Sequence, residues 1–114
     1  MAKFMVLYSS TMTASNLMAN ASPDQMKASM DEWLAWREEA SKNFKVDFGL
    51  PMQAVGRVTS DGATDSDSKV SGYSIVEGDS KNTLIELLKT HPHLNRQGAS
   101  IDVLEMLSMP GLDV

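Results

Sequence analysis

The sequence has no cysteine among its 114 residues. This absence excludes disulfide bonds, thiolate zinc sites and a cysteine nucleophile, and it gives no sign of an oxidising compartment. Long hydrophobic runs are also missing, since the longest, residues 4–8, is far too short to span a bilayer. Polar residues 9–11 interrupt the apolar run that a signal peptide would need. We therefore expect a soluble, cytoplasmic protein with no membrane partner.

Basic residues are scarce: 10 lysines and arginines stand against 15 acidic residues, for a net charge of −5. No basic cluster occurs, which argues against nucleic acid as a partner. Hydrophobic residues make up 42% of the chain, more than is typical of a disordered segment. The length and composition together predict one domain, residues 1–114, with a modest core.

Local signals place the first elements of this domain. Residues 3–8 form a predicted strand, apolar at every position from Phe4 to Leu7, as is typical of a strand covered on both faces. Residues 9–20 are predicted to be a loop with a loose turn of helix. Ser22, Pro23 and Gln25 then predict a helix start with a capping box, and this helix should run to about Asn43.

The second half of the chain contains two more strands, a helix and a final strand. Residues 45–52 read as a short extended segment, and residues 54–60 as the second strand, turned back at Asp61-Gly62. The third strand lies around residues 70–76, and the second helix follows a cap at Asp79 or Ser80 and ends at Pro92. Residues 100–107 form the last strand, with Ile101 and Val103 on one face and Leu104 and Met106 on the other. Residues 109–114 form a frayed tail.

This order, β-α-β-β-α-β, predicts an α+β protein with a ferredoxin-like antiparallel sheet and both helices on one sheet face. The first and last strands carry apolar residues on both faces, so the second face also needs cover. A second copy of the chain, packed sheet against sheet, is the simplest cover, and we expect a homodimer.

Four stretches of the chain form a recognisable pattern: Asp61-Gly62, Gly72-Tyr73-Ser74-Ile75-Val76-Glu77, His91-Pro92 and Ile101-Asp102-Val103. With this pattern the chain resembles the YCII-related family, including its branch named for an Asp-Gly-Pro-Phe motif, and the resemblance spans residues 4–106. It implies a ferredoxin-like unit that dimerises into an α+β barrel. Two departures stand out. Ala63-Thr64 replaces Pro-Phe, and no histidine occupies the start of helix one, where the founding branch uses one with an aspartate.

Arg37 is the one inconsistency in helix one, because it falls inside an apolar stripe formed by Met26, Met30, Trp33, Ala40 and Phe44. Either its charged end reaches past the apolar edge to water, or it points into a pocket towards Tyr8 or His93, ready to bind a carboxylate. The candidate substrate-binding residues are therefore Arg37, Tyr8 and Trp33.

The two histidines, His91 and His93, are the candidate catalytic residues, with Asp47 or Asp102 as a possible orienting partner. The alternative is a structural role, in which both histidines cap the C-terminal end of helix two by binding its last carbonyl groups. A metal site is less favoured, because a rigid proline separates the two side chains and no third ligand is obvious. We expect neither a metal nor a cofactor.

Two functional hypotheses follow, with a purely structural dimer module as a third. One is a protein that binds a small molecule in a pocket between helix one and the sheet. The other is a cofactor-free enzyme of the dimeric α+β barrel type, a lyase, isomerase or monooxygenase-like catalyst using His91 or His93. Titratable groups inside the pocket would favour the enzyme, whereas walls of Met, Leu and Trp alone would favour binding.

Overall fold

The computed structural model describes residues 1–111, so the last three residues of the predicted tail lie outside the described part. Its elements, in chain order, are strand β1 (Ala2–Ser9), helix α1 (Ala14–Asn20), helix α2 (Pro23–Ala40), strands β2 (Lys45–Asp47), β3 (Arg57–Thr59), β4 (Gly62–Thr64) and β5 (Val70–Gly78), helix α3 (Lys81–Leu88), a 3₁₀ helix (Pro92–Asn95) and strand β6 (Ser100–Met106). The protein is therefore α+β. No helix within residues 1–111 has the length and apolar character needed to cross a membrane.

Four strands form one sheet in the order β2-β5-β1-β6, and every neighbouring pair is antiparallel. The order places β1 and β5 in the centre, with the short β2 and the longer β6 as edges. This arrangement is compatible with a ferredoxin-like fold. β3 and β4 pair only with each other in a separate hairpin.

The core lies between the sheet and the helices. Phe4, Val6 and Tyr8 alternate along β1 and are all buried, because successive side chains of a strand point to opposite faces. They belong to a buried cluster with residues from β5, α2 and α3. Ile101 and Val103 of β6 pack against the same cluster, as their predicted shared face requires.

On the opposite face of the sheet, no described residue of β1, β5 or β6 belongs to the buried core cluster. Ile75, Met5 and Leu104 face one another across three strands and form an apolar row at the centre of this face. Leu104 is 48% exposed. Lys3 opposite Glu77 borders the row on one side, and Leu7, between Tyr73 and Asp102, borders it on the other.

Helix α2 begins as predicted. The Ser22 hydroxyl accepts a hydrogen bond from the Gln25 N–H at 3.1 Å, and the Gln25 side chain accepts one from the Ser22 N–H at 2.8 Å, which confirms the capping box. The helix ends at Ala40, three residues before the predicted Asn43. Burial is concentrated in its second half, at Trp36 and Ala40, so the first half of α2 is not packed tightly on the sheet.

The prediction for the second strand, residues 54–60, was wrong in one respect: it expected this strand to belong to the main sheet. Residues 57–59 are a strand, but they pair with β4 in the outlying hairpin, and Val58 is 82% exposed. β2 takes the place beside β5, with Val46 opposite Val76. The predicted turn was correct to within one residue, since Ser60 and Asp61 connect β3 to β4. Strand propensity is local, whereas the choice of neighbour depends on which segment can reach β5 and pack on the core.

The turn of helix predicted in the loop before α2, at residues 14–19, is present and longer than expected. It is the two-turn helix α1, which Thr13 caps by accepting a hydrogen bond from Asn16 N–H at 3.1 Å. Helix α3 is capped by Ser80, one of the two expected residues, but it stops at Leu88. Pro92 starts the 3₁₀ helix instead of directly following α3, because proline suits a first helical position.

Candidate functional site

A cavity of about 490 Å³ lies between the first half of α2 and the sheet, closed at its sides by α1 and by residues 48–51. Tyr8 of β1 and Gly72 of β5 contribute its floor. The cavity exists because α2 packs closely on the sheet only in its second half. Met26 and Met30 line it and remain 44% and 54% exposed, as expected for side chains at an open pocket.

Aromatic rings form one wall of the cavity. The Trp33 ring meets the Tyr8 ring edge-on at 5.0 Å between centroids, and the Phe48 ring edge-on at 5.7 Å. Such edge-to-face pairs are favourable beyond the area they bury. The two predicted binding residues Tyr8 and Trp33 are thus in contact, and both line the cavity.

The Tyr8 phenol is held by a buried hydrogen-bond chain. Its oxygen lies 2.8 Å from the Ser74 hydroxyl, which itself donates to the Phe48 carbonyl at 3.0 Å. Since the single Ser74 proton goes to that carbonyl, the Tyr8 O–H must donate to Ser74. Burial raises the pKa of Tyr8 to about 12, with the Ser74 hydrogen bond opposing part of the rise. Tyr8 is therefore a neutral, oriented wall residue.

His91 is enclosed by aromatic rings. Its ring lies 4.4 Å from Trp33 and 4.5 Å from Trp36, centroid to centroid. Nδ1 accepts the His93 N–H at 3.0 Å, so the proton of the neutral ring is on Nε2, which has no hydrogen-bond partner in the described chain. Burial, followed by the nearby His93 and Arg96, lowers the pKa of His91 to about 3.

His93 is fully buried and lines the cavity. Its Nε2 lies 2.8 Å from the Ser9 carbonyl oxygen and therefore donates to it, which leaves Nδ1 as a buried acceptor without a partner in the described residues. Burial lowers the pKa of His93, while the hydrogen bond to Ser9 opposes this effect. His93 is thus a neutral imidazole at the cavity wall.

The predicted helix C-cap is wrong for both histidines. His91 accepts from the first turn of the following 3₁₀ helix, and His93 donates to β1, so neither side chain bonds a carbonyl of α3. The reason is that α3 ends at Leu88, and the chain then turns inward before it reaches His91. The histidines tie the 3₁₀ helix to the core and to the sheet.

The predicted carboxylate partners lie elsewhere. Asp47 pairs with Ile75 on the open face of the sheet, and its carboxylate accepts the Gly49 N–H at 3.1 Å. Asp102 also belongs to the open face, opposite Leu7. The histidines lie on the other face, so the structure does not bring Asp47 or Asp102 to them.

Arg37 is exposed, and its guanidinium carbon lies 4.8 Å from the centre of the Phe48 ring. It is not among the residues that line the cavity. Its aliphatic stem passes the apolar edge of α2 and its charge stacks on an aromatic face, a favourable placement for a guanidinium. Arg37 thus contacts the Phe48 ring of the aromatic wall but does not enter the cavity towards Tyr8.

Arg96 is a charged cavity residue that the sequence analysis did not indicate. It follows the 3₁₀ helix, is half-buried, lines the cavity and places its guanidinium carbon 5.9 Å from the centre of the Trp33 ring. Burial lowers its pKa. Nothing in the predicted loop at residues 95–99 marks Arg96, because its position depends on the inward turn made by His91 and His93.

Within residues 1–111, no group of three histidine, aspartate or glutamate side chains could hold a metal ion. A comparison of the sequence with protein-family models found no match, and a comparison with curated proteins found none either.

Proposed function

We propose that this protein is a homodimer that binds a small molecule in the cavity between α2 and the sheet. The observation that carries the proposal is the cavity itself. Its volume of about 490 Å³ falls within the roughly 300–1,000 Å³ of typical ligand pockets. Its lining is also of the usual kind, with mainly apolar side chains and a few polar groups such as Gln25, Ser29 and Arg96.

The chemistry of the wall favours binding over proton transfer. Tyr8 has its proton committed to Ser74, and His91 is enclosed between two indole rings with a pKa too low for protonation near neutral pH. The two aspartates considered as partners lie on the opposite sheet face. An acid–base pair would need at least two groups able to exchange protons at the cavity.

The dimer is proposed from the open face of the sheet. An isologous pair would bring the apolar row of Ile75, Met5 and Leu104 against its copy and remove it from water. With two ferredoxin-like sheets packed in this way, the assembly would be the dimeric α+β barrel implied by the resemblance to the YCII-related family.

Binding can be tested with a blocked cavity. Ser29 lines the cavity from α2, so Ser29→Trp should fill it, whereas the exposed neighbour Ala28 does not line it, and Ala28→Trp is the matched control. We expect indole and phenylacetate to shift the NMR signals of Tyr8 and Trp33 in wild type and Ala28→Trp, but not in Ser29→Trp. If no wild-type signal shifts with any apolar probe, or if both variants bind equally, the cavity is not a binding site.

One observation favours a second candidate, a cofactor-free enzyme of lyase, isomerase or monooxygenase-like type. His93 lines the cavity as a neutral imidazole, and a neutral imidazole can accept a proton from a substrate. For such an enzyme, His93→Gln should abolish turnover while ligand still binds. Loss of binding and turnover together would indicate that His93 only supports the cavity wall.

A further inference from the structure

We infer that the ligand of the cavity is a small apolar carboxylic acid, bound as its anion by Arg96, with its hydrocarbon part against Trp33 and the methionines. The inference rests on the proposed function, because it concerns the same cavity. It assigns the anion to Arg96 instead of Arg37.

The first support is the state of the Arg96 charge. Arg96 is half-buried, yet its guanidinium makes no hydrogen bond or ion pair with any residue in the range 1–111. The chain is acidic, and its exposed Arg57 does find a carboxylate, Asp67, at 2.8 Å. A partly desolvated cation without a counter-charge is costly, and a bound anion would offset that cost.

The second support is the location of Arg96 at the cavity. Of the three arginines in the sequence, it is the one that lines the cavity in the described chain. A guanidinium offers paired N–H donors whose spacing matches a carboxylate. Burial of Arg96 lowers its pKa, but from a value so high that the group stays charged near neutral pH.

The third support is the chemistry of the remaining wall. Met18, Met26 and Met30 present flexible thioethers, and Trp33 presents an aromatic surface beside Arg96. Such walls suit an apolar ring or branched chain. Among the cavity residues Arg96 is the single lysine or arginine, so a singly charged carboxylate fits better than a phosphate dianion, which needs more donors.

A bound anion should also be detectable at the neighbouring histidine. The Arg96 charge contributes to lowering the pKa of His93, together with burial. An anion paired with Arg96 would weaken that contribution, and the pKa of His93 should rise on binding. Tyr8 and His91 also pack against His93, but both are neutral near pH 7 and should not mask the change.

The test compares phenylacetate with phenylacetamide, which has nearly the same shape but no charge, by isothermal titration calorimetry. Wild type should prefer the acid by about 10- to 100-fold, the range given by a charged hydrogen-bonded pair. Arg96→Met should lose this preference and still bind the amide, and Arg96→Lys should retain part of it. Arg37→Met, at the other candidate arginine, should behave as wild type.

The outcomes separate the two proposals. If wild type binds neither probe, the proposed function fails together with this inference. If wild type binds both probes equally, or if Arg37→Met and not Arg96→Met removes the preference, the cavity binds ligands but Arg96 is not the anion site. Should Arg96→Met fold poorly, NMR titration of His93 in wild type decides: an unchanged pKa in saturating phenylacetate overturns the inference.

Discussion

The side chains at the cavity owe their properties to a few contacts that do not follow from their chemical type. His91 and His93 are two residues apart and chemically identical, yet one is enclosed by two tryptophans and the other bonds to β1 and lines the cavity. Burial lowers the pKa of both, so each is neutral in the folded protein near pH 7. Because protonation of these histidines is less favourable in the folded state than in the unfolded chain, the free energy of unfolding should depend on pH.

The pKa of His91 predicts the sign of that dependence. The folded protein holds it at about 3, below the usual 6.5, so between these values the unfolded chain binds more protons. The free energy of unfolding should then be undiminished above pH 6.5 and fall towards pH 3, by up to about 1.4 kcal/mol per pH unit for one histidine. Urea unfolding of wild type and His91→Asn at several pH values measures this.

His91→Asn is the suitable comparison because an asparagine oxygen can still accept the His93 N–H, while it does not titrate. Carboxylates titrate in both proteins, so the difference in slope isolates His91. The variant should show the shallower decline, and equal slopes would mean that His91 is accessible to protons in the folded state.

Gly49 gives a second prediction at this scale. Its φ is +68°, and a Cβ would lie 2.5 Å from the Tyr73 carbonyl oxygen, so Gly49→Ala combines an unfavourable backbone conformation with a backbone clash. We expect it to lower the free energy of unfolding by about 2–4 kcal/mol in chemical denaturation. Gly56→Ala is the control, since its nearest neighbour would be 3.8 Å away, and it should change stability little. Equal effects of the two substitutions on stability would contradict the positive φ and the close backbone contact at Gly49.

At the scale of the elements, the sequence predicted features that depend on neighbouring residues, but it did not predict which strands pair with each other. The capping box at Ser22 and the alternating faces of β6 depend on residues a few positions apart, and both are confirmed. The position of β2 beside β5 depends on contacts about thirty residues apart along the chain, as Val46 opposite Val76 illustrates. Arg96 was missed for the same reason, because its place depends on how the 3₁₀ helix meets β1 and α2.

The capping box should contribute measurably to the stability of the domain. Ser22→Ala removes the acceptor for the Gln25 N–H at the start of α2, so we expect a loss of about 1 kcal/mol in urea unfolding. Lys27→Ala on the same helix removes an exposed ion pair with Asp31 and should cost only about 0.3–0.5 kcal/mol. A smaller effect of Ser22→Ala than of Lys27→Ala would contradict a stabilising role of the capping box.

For the whole molecule, the asymmetry of the sheet is the main feature. One face packs on the helices, while the other carries an apolar row with charged residues near its margins, a composition suited to a small interface. The proposed dimer joins two such faces. The helix-side cavity would then stay open to ligand in each protomer, because it lies on the other side of the sheet.

Leu104→Glu should disrupt the proposed dimer, since it places a charge in the apolar row, at its β6 end, without changing the core on the helix side of the sheet. Sedimentation velocity at micromolar concentration should give twice the chain mass for wild type and the chain mass for the variant. Leu107→Glu, beyond the end of β6 and already 81% exposed, should remain dimeric. A wild-type monomer, or two variants that behave alike, would exclude this interface.

The two tryptophans of α2 also provide intrinsic fluorescence that can report on the cavity and on the core. Trp33 lines the cavity beside Arg96, whereas Trp36 is buried and donates its indole N–H to the Leu87 carbonyl at 3.1 Å. Ligand entry should therefore change the emission of Trp33, while unfolding of the helix-side core should change that of Trp36. Trp36→Phe would leave Trp33 as the single tryptophan, and the tryptophan emission of the unlabelled protein could then report occupancy of the cavity directly.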